Sequence, residues 1–241
     1  MTLRLTLEYD GTAFRGWARQ PGERTVEGVL RDALGAVYPT WHDLSVAGRT
    51  DAGVHAAGQV ASVVAAGGPP AESAAEALNT ALPDDVAVLD AVEAPEGFHA
   101  RFSARSRSYR YAVLDRRTRS ALDARRALWW PRGVDDAALA AAAAALVGEH
   151  DFRAFTPAVT QHAVFTRVVL EAAWQRTGDR VHFTITADSF LRHMVRTLVG
   201  TMLELGPEAP ARMPALLRGA PRSAAGSTAP PWGLTLERVH Y

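Results

Sequence analysis

The sequence contains no cysteine and no lysine. The absence of cysteine excludes disulfides, thiolate nucleophiles and metal sites that use cysteine ligands. No apolar run approaches the ~20 residues that a membrane-spanning helix needs. The N-terminal residues also lack the pattern of a secretory signal, in which basic residues precede an apolar stretch. These last two absences favour a cytoplasmic protein with no membrane partner.

Signals for cofactors and metals are also missing. The sequence has no glycine-rich phosphate loop, no dinucleotide-binding fingerprint and no Gly-x-Ser-x-Gly nucleophile turn. His55 and His99 are single histidines, and no set of His, Asp and Glu has the spacing of a metal site. The sequence therefore predicts neither a metal nor a small-molecule cofactor.

Charge is balanced overall but segregated along the chain. All 26 basic residues are arginines, and 26 acidic residues offset them. Residues 101–126 contain nine arginines and two aspartates, whereas residues 71–97 contain seven acidic residues and no basic one. An arginine-rich stretch that includes Tyr109 and Tyr111 suits phosphates and stacked bases. The alternative interpretation is a solvated charged surface.

The first half of the chain has the pattern of one α+β sub-domain. Residues 2–9 alternate between leucine or tyrosine and polar residues, which is typical of a half-buried strand. Thr25 is placed to cap a helix that has an apolar stripe. The predicted elements, in order, are a strand at 2–9, a helix at 26–37, strands at 44–46 and 59–64, a helix at 71–82 and a strand at 86–92. A β-α-β-β-α-β order predicts a ferredoxin-like sub-domain over residues 1–104.

The second half, residues 105–241, repeats that order with additions. The patterns predict a strand at 108–114, an arginine-rich connection at 115–133, a helix at 135–147, a loop at 148–157, a hairpin of strands at 166–175 and 181–187, helices at 190–205 and 209–218, and a final strand at 234–241. We expect two ferredoxin-like sub-domains with antiparallel sheets side by side. A cleft between them is then the expected active site.

The segment Ala47–Ala56 carries an arginine, a hydroxyl and a carboxylate between glycines. Its position between two strands predicts a loop, and Asp51 in that loop can serve as nucleophile or base. Asp51 can also be a turn residue that bonds only its own backbone. Arg196 lies on the flank of a predicted apolar helix. It is either exposed to solvent or paired with a carboxylate, for which Asp51 is the obvious candidate.

Several motifs in order resemble those of the pseudouridine synthases, and in particular the bacterial members that act on tRNA. The motifs, which span nearly the whole chain, are Tyr9-Asp10-Gly11-Thr12, Gly48-Arg49-Thr50-Asp51-Ala52-Gly53-Val54-His55-Ala56, Phe98-His99-Ala100-Arg101-Phe102-Ser103-Ala104, Tyr109-Arg110-Tyr111, His150-Asp151-Phe152-Arg153-Ala154-Phe155, Phe190-Leu191-Arg192-His193-Met194-Val195-Arg196 and Ala229-Pro230-Pro231-Trp232-Gly233-Leu234. Ala18 and Glu27 depart from the pattern, because the family often has glutamine there.

The resemblance implies an isomerase without a cofactor that converts uridine to pseudouridine at positions 38, 39 and 40 of the tRNA anticodon stem-loop. It also implies a homodimer. The family's catalytic aspartate corresponds to Asp51, its substrate-binding tyrosine to Tyr109, and the arginine that pairs with the aspartate to Arg196. Arg49 resembles the residue that fills the gap left by the flipped base. Further RNA contacts are expected from the arginine-rich loop and strands, at Arg19, Arg101, Arg105 and Arg110.

The chemical action of Asp51 and the function of the protein both stay open at this point. Asp51 has three possible actions: attack on C1′, addition to C6, or removal of a ribose proton. A non-catalytic RNA-binding or RNA-chaperone module on the same fold is a second hypothesis for the function. A nucleoside hydrolase is a weaker third hypothesis, because it needs a water activator and the motif holds no second acidic residue.

Overall fold

The computed structural model describes residues 1–160 and 162–241. The described chain is a mixed α+β fold with largely antiparallel sheet structure, as the sequence predicted. It forms two compact units, one made of residues 1–105 with 235–241 and the other of residues 106–234. No helix among the described residues is long and apolar enough to span a membrane.

The first unit contains five strands and two α-helices. They are β1 (Thr2–Tyr9), α1 (Val26–Val37), β2 (Thr40–Val46), β3 (His55–Ala66), α2 (Ala71–Asn79), β4 (Val86–Glu93) and β10 (Leu234–His240). β1 lies between β3 and β4 and is antiparallel to both. β2 pairs with one end of β3 in antiparallel fashion, and β10 pairs in parallel with the other end.

Local patterns explain the core of this unit. Leu3, Leu5 and Leu7 of β1 are completely buried, as their alternation predicted. The side chain of Thr25 caps α1 by accepting a hydrogen bond from the Gly28 amide at 3.2 Å. The order β1-α1-β2-β3-α2-β4 confirms the predicted β-α-β-β-α-β pattern.

The described residues of the second unit form five strands and three α-helices. They are β5 (Ser106–Leu114), β6 (Leu128–Trp129), α3 (Asp136–Ala144), β7 (Gly148–Asp151), β8 (Thr166–Thr177), β9 (Arg180–Ala187), α4 (Met194–Leu205) and α5 (Ala209–Leu216). The antiparallel sheet has the order β5-β9-β8-β7, and β6 adds in parallel to β5.

Three local predictions were wrong. Gly148–Asp151 is strand β7 and not a loop, because its backbone pairs with β8. The arginine-rich connection contains the two-residue strand β6 for the same reason. Helix α4 begins at Met194 and not at residue 190, because His193 has a left-handed backbone with φ of 62° and the preceding residues form a turn.

The terminal strand groups with the first unit, whereas the sequence assigned it to the second sub-domain. Thr235 and Leu236 pair with His55 and Ala56 of β3. Two further bonds hold the end of the chain to the first unit: the Arg105 amide donates to the His240 carbonyl at 2.8 Å, and the Tyr241 hydroxyl donates to the Ala100 carbonyl at 2.7 Å. Strand pairing over this separation in sequence leaves no local signal.

Candidate active site

Asp51 lies in the loop that joins β2 to β3. The loop closes on itself through a bond from the Val54 amide to the Asp51 carbonyl at 3.1 Å. Gly53 in this turn has φ of 78°, a conformation that suits glycine. Asp51 itself is half-buried.

A second loop, residues 10–17, holds the Asp51 loop from the side. The Trp17 amide donates to the Thr50 carbonyl at 3.0 Å, and the Gly53 amide donates to the Phe14 carbonyl at 3.2 Å. Gly16 makes this approach possible, since a Cβ there would lie 2.9 Å from the Thr50 carbonyl oxygen and its φ is 95°. Backbone bonds on both sides of Asp51 therefore fix the path of its loop.

A buried polar cluster supports the same loop from beneath. The Tyr9 hydroxyl and the Thr50 hydroxyl share a hydrogen bond of 2.8 Å. The Gln59 side-chain amide donates to the Gly48 carbonyl at 2.7 Å and to the Tyr9 hydroxyl at 3.3 Å. Gln59 is completely buried and Tyr9 is 4% exposed. The Tyr9 hydroxyl and the Gln59 side-chain amide thus both bond the loop, which fixes Thr50 beside Asp51.

The environment of Tyr9 keeps its hydroxyl protonated. Burial raises the pKa of Tyr9 from its ordinary value of 10.0 to about 12, and the hydrogen bonds to Thr50 and Gln59 oppose part of that rise. This cluster was not predicted from the sequence. The available signal was Gln59, a polar residue that directly precedes the core residues Val60 and Ala61 of β3.

Arg49 occupies the same loop as Asp51 but is exposed. Within the described residues, its side chain forms no hydrogen bond or ion pair with a carboxylate or carbonyl, whereas three other arginines of this unit are ion-paired. An exposed guanidinium without an internal partner is available to an anionic ligand.

Tyr109 lies in β5 of the second unit, opposite Ile185 of β9. Its ring packs edge-on against the Phe190 ring, with 5.0 Å between centroids and an interplanar angle of 82°. Phe190 belongs to the turn that precedes α4, so this contact links β5 to the start of that helix. The aromatic pair orients the nearly buried Tyr109 ring.

Arg196 lies in the first turn of α4 and is held by the segment around Ala229. Its Nε donates to the Ala229 carbonyl at 2.8 Å, and the Ala229 amide donates to the Arg196 carbonyl at 3.1 Å. The Tyr111 hydroxyl donates to the next carbonyl, that of Pro230, at 2.8 Å. Arg196 is half-buried, so it is not simply a solvent-facing charge.

The charge of Arg196 also affects the pKa of Tyr111. Burial raises the pKa of Tyr111 well above its ordinary value, and the nearby Arg196 guanidinium opposes that rise only in part. Tyr111 therefore stays protonated and donates to Pro230. Within the second unit, Tyr111, Arg196 and the segment at residues 229–230 form one hydrogen-bonded group.

The remaining predicted RNA contacts differ in their surroundings. Arg19 and Arg105 are exposed, and no side-chain hydrogen bond or ion pair joins either to another described residue. Arg101 is exposed with its guanidinium 5.6 Å from the Phe102 ring centroid. Arg110 is half-buried in β5, opposite Thr184. Arginines that form ion pairs with Asp or Glu include Arg15, Arg24, Arg31, Arg116, Arg153, Arg176 and Arg180.

Metal-binding groups are not apparent in the described part of the chain. No cluster of three or more His, Asp and Glu side chains has the arrangement to hold a metal ion there. The histidine nearest the Asp51 loop, His55, accepts a hydrogen bond from the Gly11 amide at its Nδ1, at 3.0 Å. This bond gives His55 a structural role between the two loops.

Comparison with known proteins adds a family relationship to this geometry. Residues 6–103 and 142–241 match the family described as tRNA pseudouridine synthase. Asp51 and Arg196 lie in the matched segments, and Tyr109 lies between them.

Similar proteins extend the relationship over nearly the whole chain. The tRNA pseudouridine synthase A of Moorella thermoacetica is 43% identical and covers 99% of each chain. The protein of the same name from Myxococcus xanthus is 44% identical over 99% of this chain and 91% of its own. That of Bacillus subtilis is 40% identical over 100% of this chain and 99% of its own.

Proposed function

This chain belongs to the tRNA pseudouridine synthase family, whose members are isomerases that convert uridine to pseudouridine in tRNA, and we propose that its targets are positions 38, 39 and 40 in the anticodon stem-loop. The observation that carries the proposal is the Asp51 loop. It combines a family match with a carboxylate whose backbone is fixed by a second loop and by a buried polar cluster. Catalytic groups need such fixed positions.

The reaction exchanges one glycosidic bond for another. The N1–C1′ bond of uridine breaks, the uracil turns, and C5 bonds to C1′; C5 then loses its proton and N1 regains one. We assign Asp51 as the acting carboxylate in each of the three routes open to it: attack on C1′, addition to C6, or removal of a ribose proton. Each route requires the ionised carboxylate.

Three further residues have proposed roles in holding the substrate. Tyr109 would stack on the target uracil, and its ring is already oriented by Phe190. Arg196 would favour the ionised form of Asp51, and the Ala229 carbonyl limits the freedom of its guanidinium. Arg49 would occupy the space that the flipped uridine leaves, which suits its exposed side chain.

Base flipping explains why these roles are needed. The enzyme cannot rotate a uracil inside a stacked helix, so the nucleotide must first leave the stack, at a cost of a few kcal/mol. Stacking on Tyr109 and filling of the gap by Arg49 would offset part of that cost. A site that excludes water would keep the detached uracil from being lost.

We also propose an oligomeric state and a cellular location for the enzyme. We expect a homodimer that binds tRNA in the cytoplasm, without a metal or small-molecule cofactor. The N-terminal sub-domain, residues 1–104, would supply the Asp51 loop. The second unit, residues 106–234, would supply the Tyr109 strand and the Arg196 helix.

Replacement of Asp51 by asparagine tests the proposal. Asp51→Asn should abolish isomerisation and leave tRNA affinity within about twofold, because the amide retains the shape of the side chain but cannot act as nucleophile or base. The measurement is tritium release from tRNA labelled at uracil C5, since formation of the C5–C1′ bond displaces that hydrogen. Tyr109→Phe should retain stacking and thereby separate it from any role of the hydroxyl.

Asp32→Asn is the matched control, because Asp32 is an exposed carboxylate of α1 outside the site. It should release tritium at the wild-type rate. Release by the Asp51 variant at that rate would refute the catalytic assignment. Tight tRNA binding by the wild-type protein without any release would instead support a non-catalytic RNA-binding or RNA-chaperone module.

A further inference from the structure

Phe102 is an aromatic side chain that the fold leaves in solvent. It lies in the turn that follows β4 and precedes β5, and 76% of it is exposed. A large apolar side chain with this exposure indicates a binding surface when the backbone that carries it is rigid. A flexible loop, in contrast, would expose its residues by default.

The turn that carries Phe102 is closed by its own hydrogen bonds. The Ser103 amide donates to the His99 carbonyl at 2.9 Å, and the His99 amide donates to the Ser103 hydroxyl oxygen at 3.1 Å. The imidazole Nδ1 of His99 accepts a hydrogen bond from the Arg101 amide at 3.1 Å. These three bonds define the conformation of residues 99–103.

The same turn is fastened to the sheet of the first unit. The Ala100 amide donates to the Ser62 hydroxyl oxygen at 3.1 Å, and the Ala100 carbonyl accepts the Tyr241 hydroxyl at 2.7 Å. His99 Nε2 lies 3.1 Å from the Ser45 hydroxyl, within hydrogen-bond distance. Ala100 is completely buried, whereas Phe102 two residues later is exposed. The fold therefore presents Phe102 from a fixed base.

The surroundings of the Phe102 ring are aromatic and cationic. The His99 ring packs against it, with 4.4 Å between centroids and an interplanar angle of 32°. The Arg101 guanidinium lies 5.6 Å from the Phe102 centroid, and Arg105 is an exposed arginine three residues further on. A rigid aromatic ring among cations suits a flat apolar group on an anionic chain, which is the chemistry of a nucleotide.

We propose that Phe102 is a stacking platform for an unpaired nucleobase of the RNA substrate, with Arg101 and Arg105 at the flanking phosphates. This inference rests on the tRNA substrate of the proposed function and adds a contact outside the residues assigned there to the target uridine. The arginines favour RNA over a second copy of this chain, because like charges in a self-complementary patch repel each other.

Four substitutions of Phe102 separate stacking from simple apolar contact. Phe102→Tyr and Phe102→Trp keep a π face and should retain tRNA affinity within about twofold. Phe102→Leu and Phe102→Ala both remove that face and should each weaken binding about tenfold. The measurement is the dissociation constant for an unmodified tRNA transcript, by fluorescence anisotropy.

Two controls accompany the series. Leu89→Ala removes another exposed apolar side chain of the first unit, 50% exposed in β4, and should leave tRNA affinity unchanged. Thermal unfolding of each Phe102 variant should match that of the wild type, because an exposed side chain adds little to the core. A tRNA transcript containing 5-iodouridine should also form a photo-crosslink at position 102, which identifies the stacked nucleotide.

The outcomes distinguish this inference from the proposed function. Equal affinity of the wild type and Phe102→Ala for tRNA would overturn stacking, as would near-wild-type affinity of Phe102→Leu with a loss only in Phe102→Ala. Dissociation of an oligomer by Phe102→Ala, with unchanged tRNA affinity, would assign the ring to a contact between copies. Binding that depends on Phe102, in a wild-type protein that releases no tritium, would reject the proposed reaction and retain the platform.

Discussion

The Tyr9 hydroxyl lies in the core of the first unit, where it supports the loop of Asp51. The hydroxyl contacts both Thr50 and Gln59, so its removal takes a hydrogen-bond partner from the buried Thr50 hydroxyl and one of two acceptors from the Gln59 amide. A group left unsatisfied in this way costs about 1 to 3 kcal/mol. Tyr9 therefore links the stability of the first unit to the position of the proposed catalytic carboxylate.

Tyr9→Phe should lower both the free energy of unfolding and the rate of tritium release. The stability lost should depend on pH, because the folded protein holds the Tyr9 proton to about pH 12 whereas the unfolded chain releases it near 10.0. The raised pKa stabilises the wild type fully below pH 10. The advantage over Tyr9→Phe should shrink by about 3 kcal/mol as the pH rises through 12.

Denaturant unfolding of both proteins at several alkaline pH values measures this difference. Tyr38→Phe is the matched control for activity, because the Tyr38 hydroxyl donates to the Pro69 carbonyl and does not contact the Asp51 loop. It should cost stability without slowing the reaction. A pH-independent difference between the wild type and Tyr9→Phe would contradict the assigned state of the hydroxyl.

At the scale of elements, the first turn of α1 restrains the loop that precedes it. Glu27 accepts the Arg19 amide through Oε2 at 3.1 Å and pairs with Arg31 through Oε1 at 2.9 Å. Glu27 is one of the two positions at which the resemblance to the family implied a departure from a frequent glutamine. Glutamine retains the acceptor oxygen for Arg19 but loses the charge that Arg31 pairs with.

Glu27→Ala should increase cleavage of the loop by trypsin after Arg19 by about fivefold, because the loss of one hydrogen bond worth about 1 kcal/mol raises the open population by that factor. Glu27→Gln should remain close to the wild type. Limited proteolysis under native conditions, followed by mass spectrometry, gives the rates. Asp32→Ala, an exposed change in the same helix, should have no effect; an unchanged rate for Glu27→Ala would show that the loop is held without Glu27.

For the whole molecule, the net charge of zero does not show that the arginines fall into two classes, which differ in whether they pair with carboxylates. Some form ion pairs with carboxylates, as Arg180 does with Asp123 at 2.9 Å. Others, such as Arg19 and Arg105, are exposed without such partners among the described residues. Only the second class can exchange counterions for phosphates without first breaking an internal contact.

Arg19→Gln and Arg105→Gln should each reduce the slope of log affinity for tRNA against log salt by about 0.7 to 0.9, which corresponds to one phosphate contact. Arg180→Gln is the matched control and should leave that slope unchanged. Titrations between about 50 and 200 mM salt supply the slopes. A reduction of equal size for Arg180→Gln would show that the division into paired and unpaired arginines does not govern RNA binding.

Local patterns in the sequence determined the elements and the family. The alternation of Thr2–Tyr9 and the cap at Thr25 predicted β1 and α1, and the structure confirms both. The ordered motifs indicated the family that the comparisons show. Their success has one physical reason: the side chains themselves encode strand alternation, helix capping and chemical motifs. The roles of Asp51, Tyr109, Arg49 and Arg196 stay predictions.

Pairing between distant segments was decided only by the tertiary structure. Backbone hydrogen bonds carry no side-chain information, so β7 and the return of β10 to β3 had no clear signal in the sequence. The left-handed backbone conformation of His193, after which α4 begins at Met194, likewise depends on the surrounding backbone. The support of the Asp51 loop by Tyr9 and Gln59 depends on residues distant in sequence that meet in the core, where burial makes each hydrogen bond obligatory.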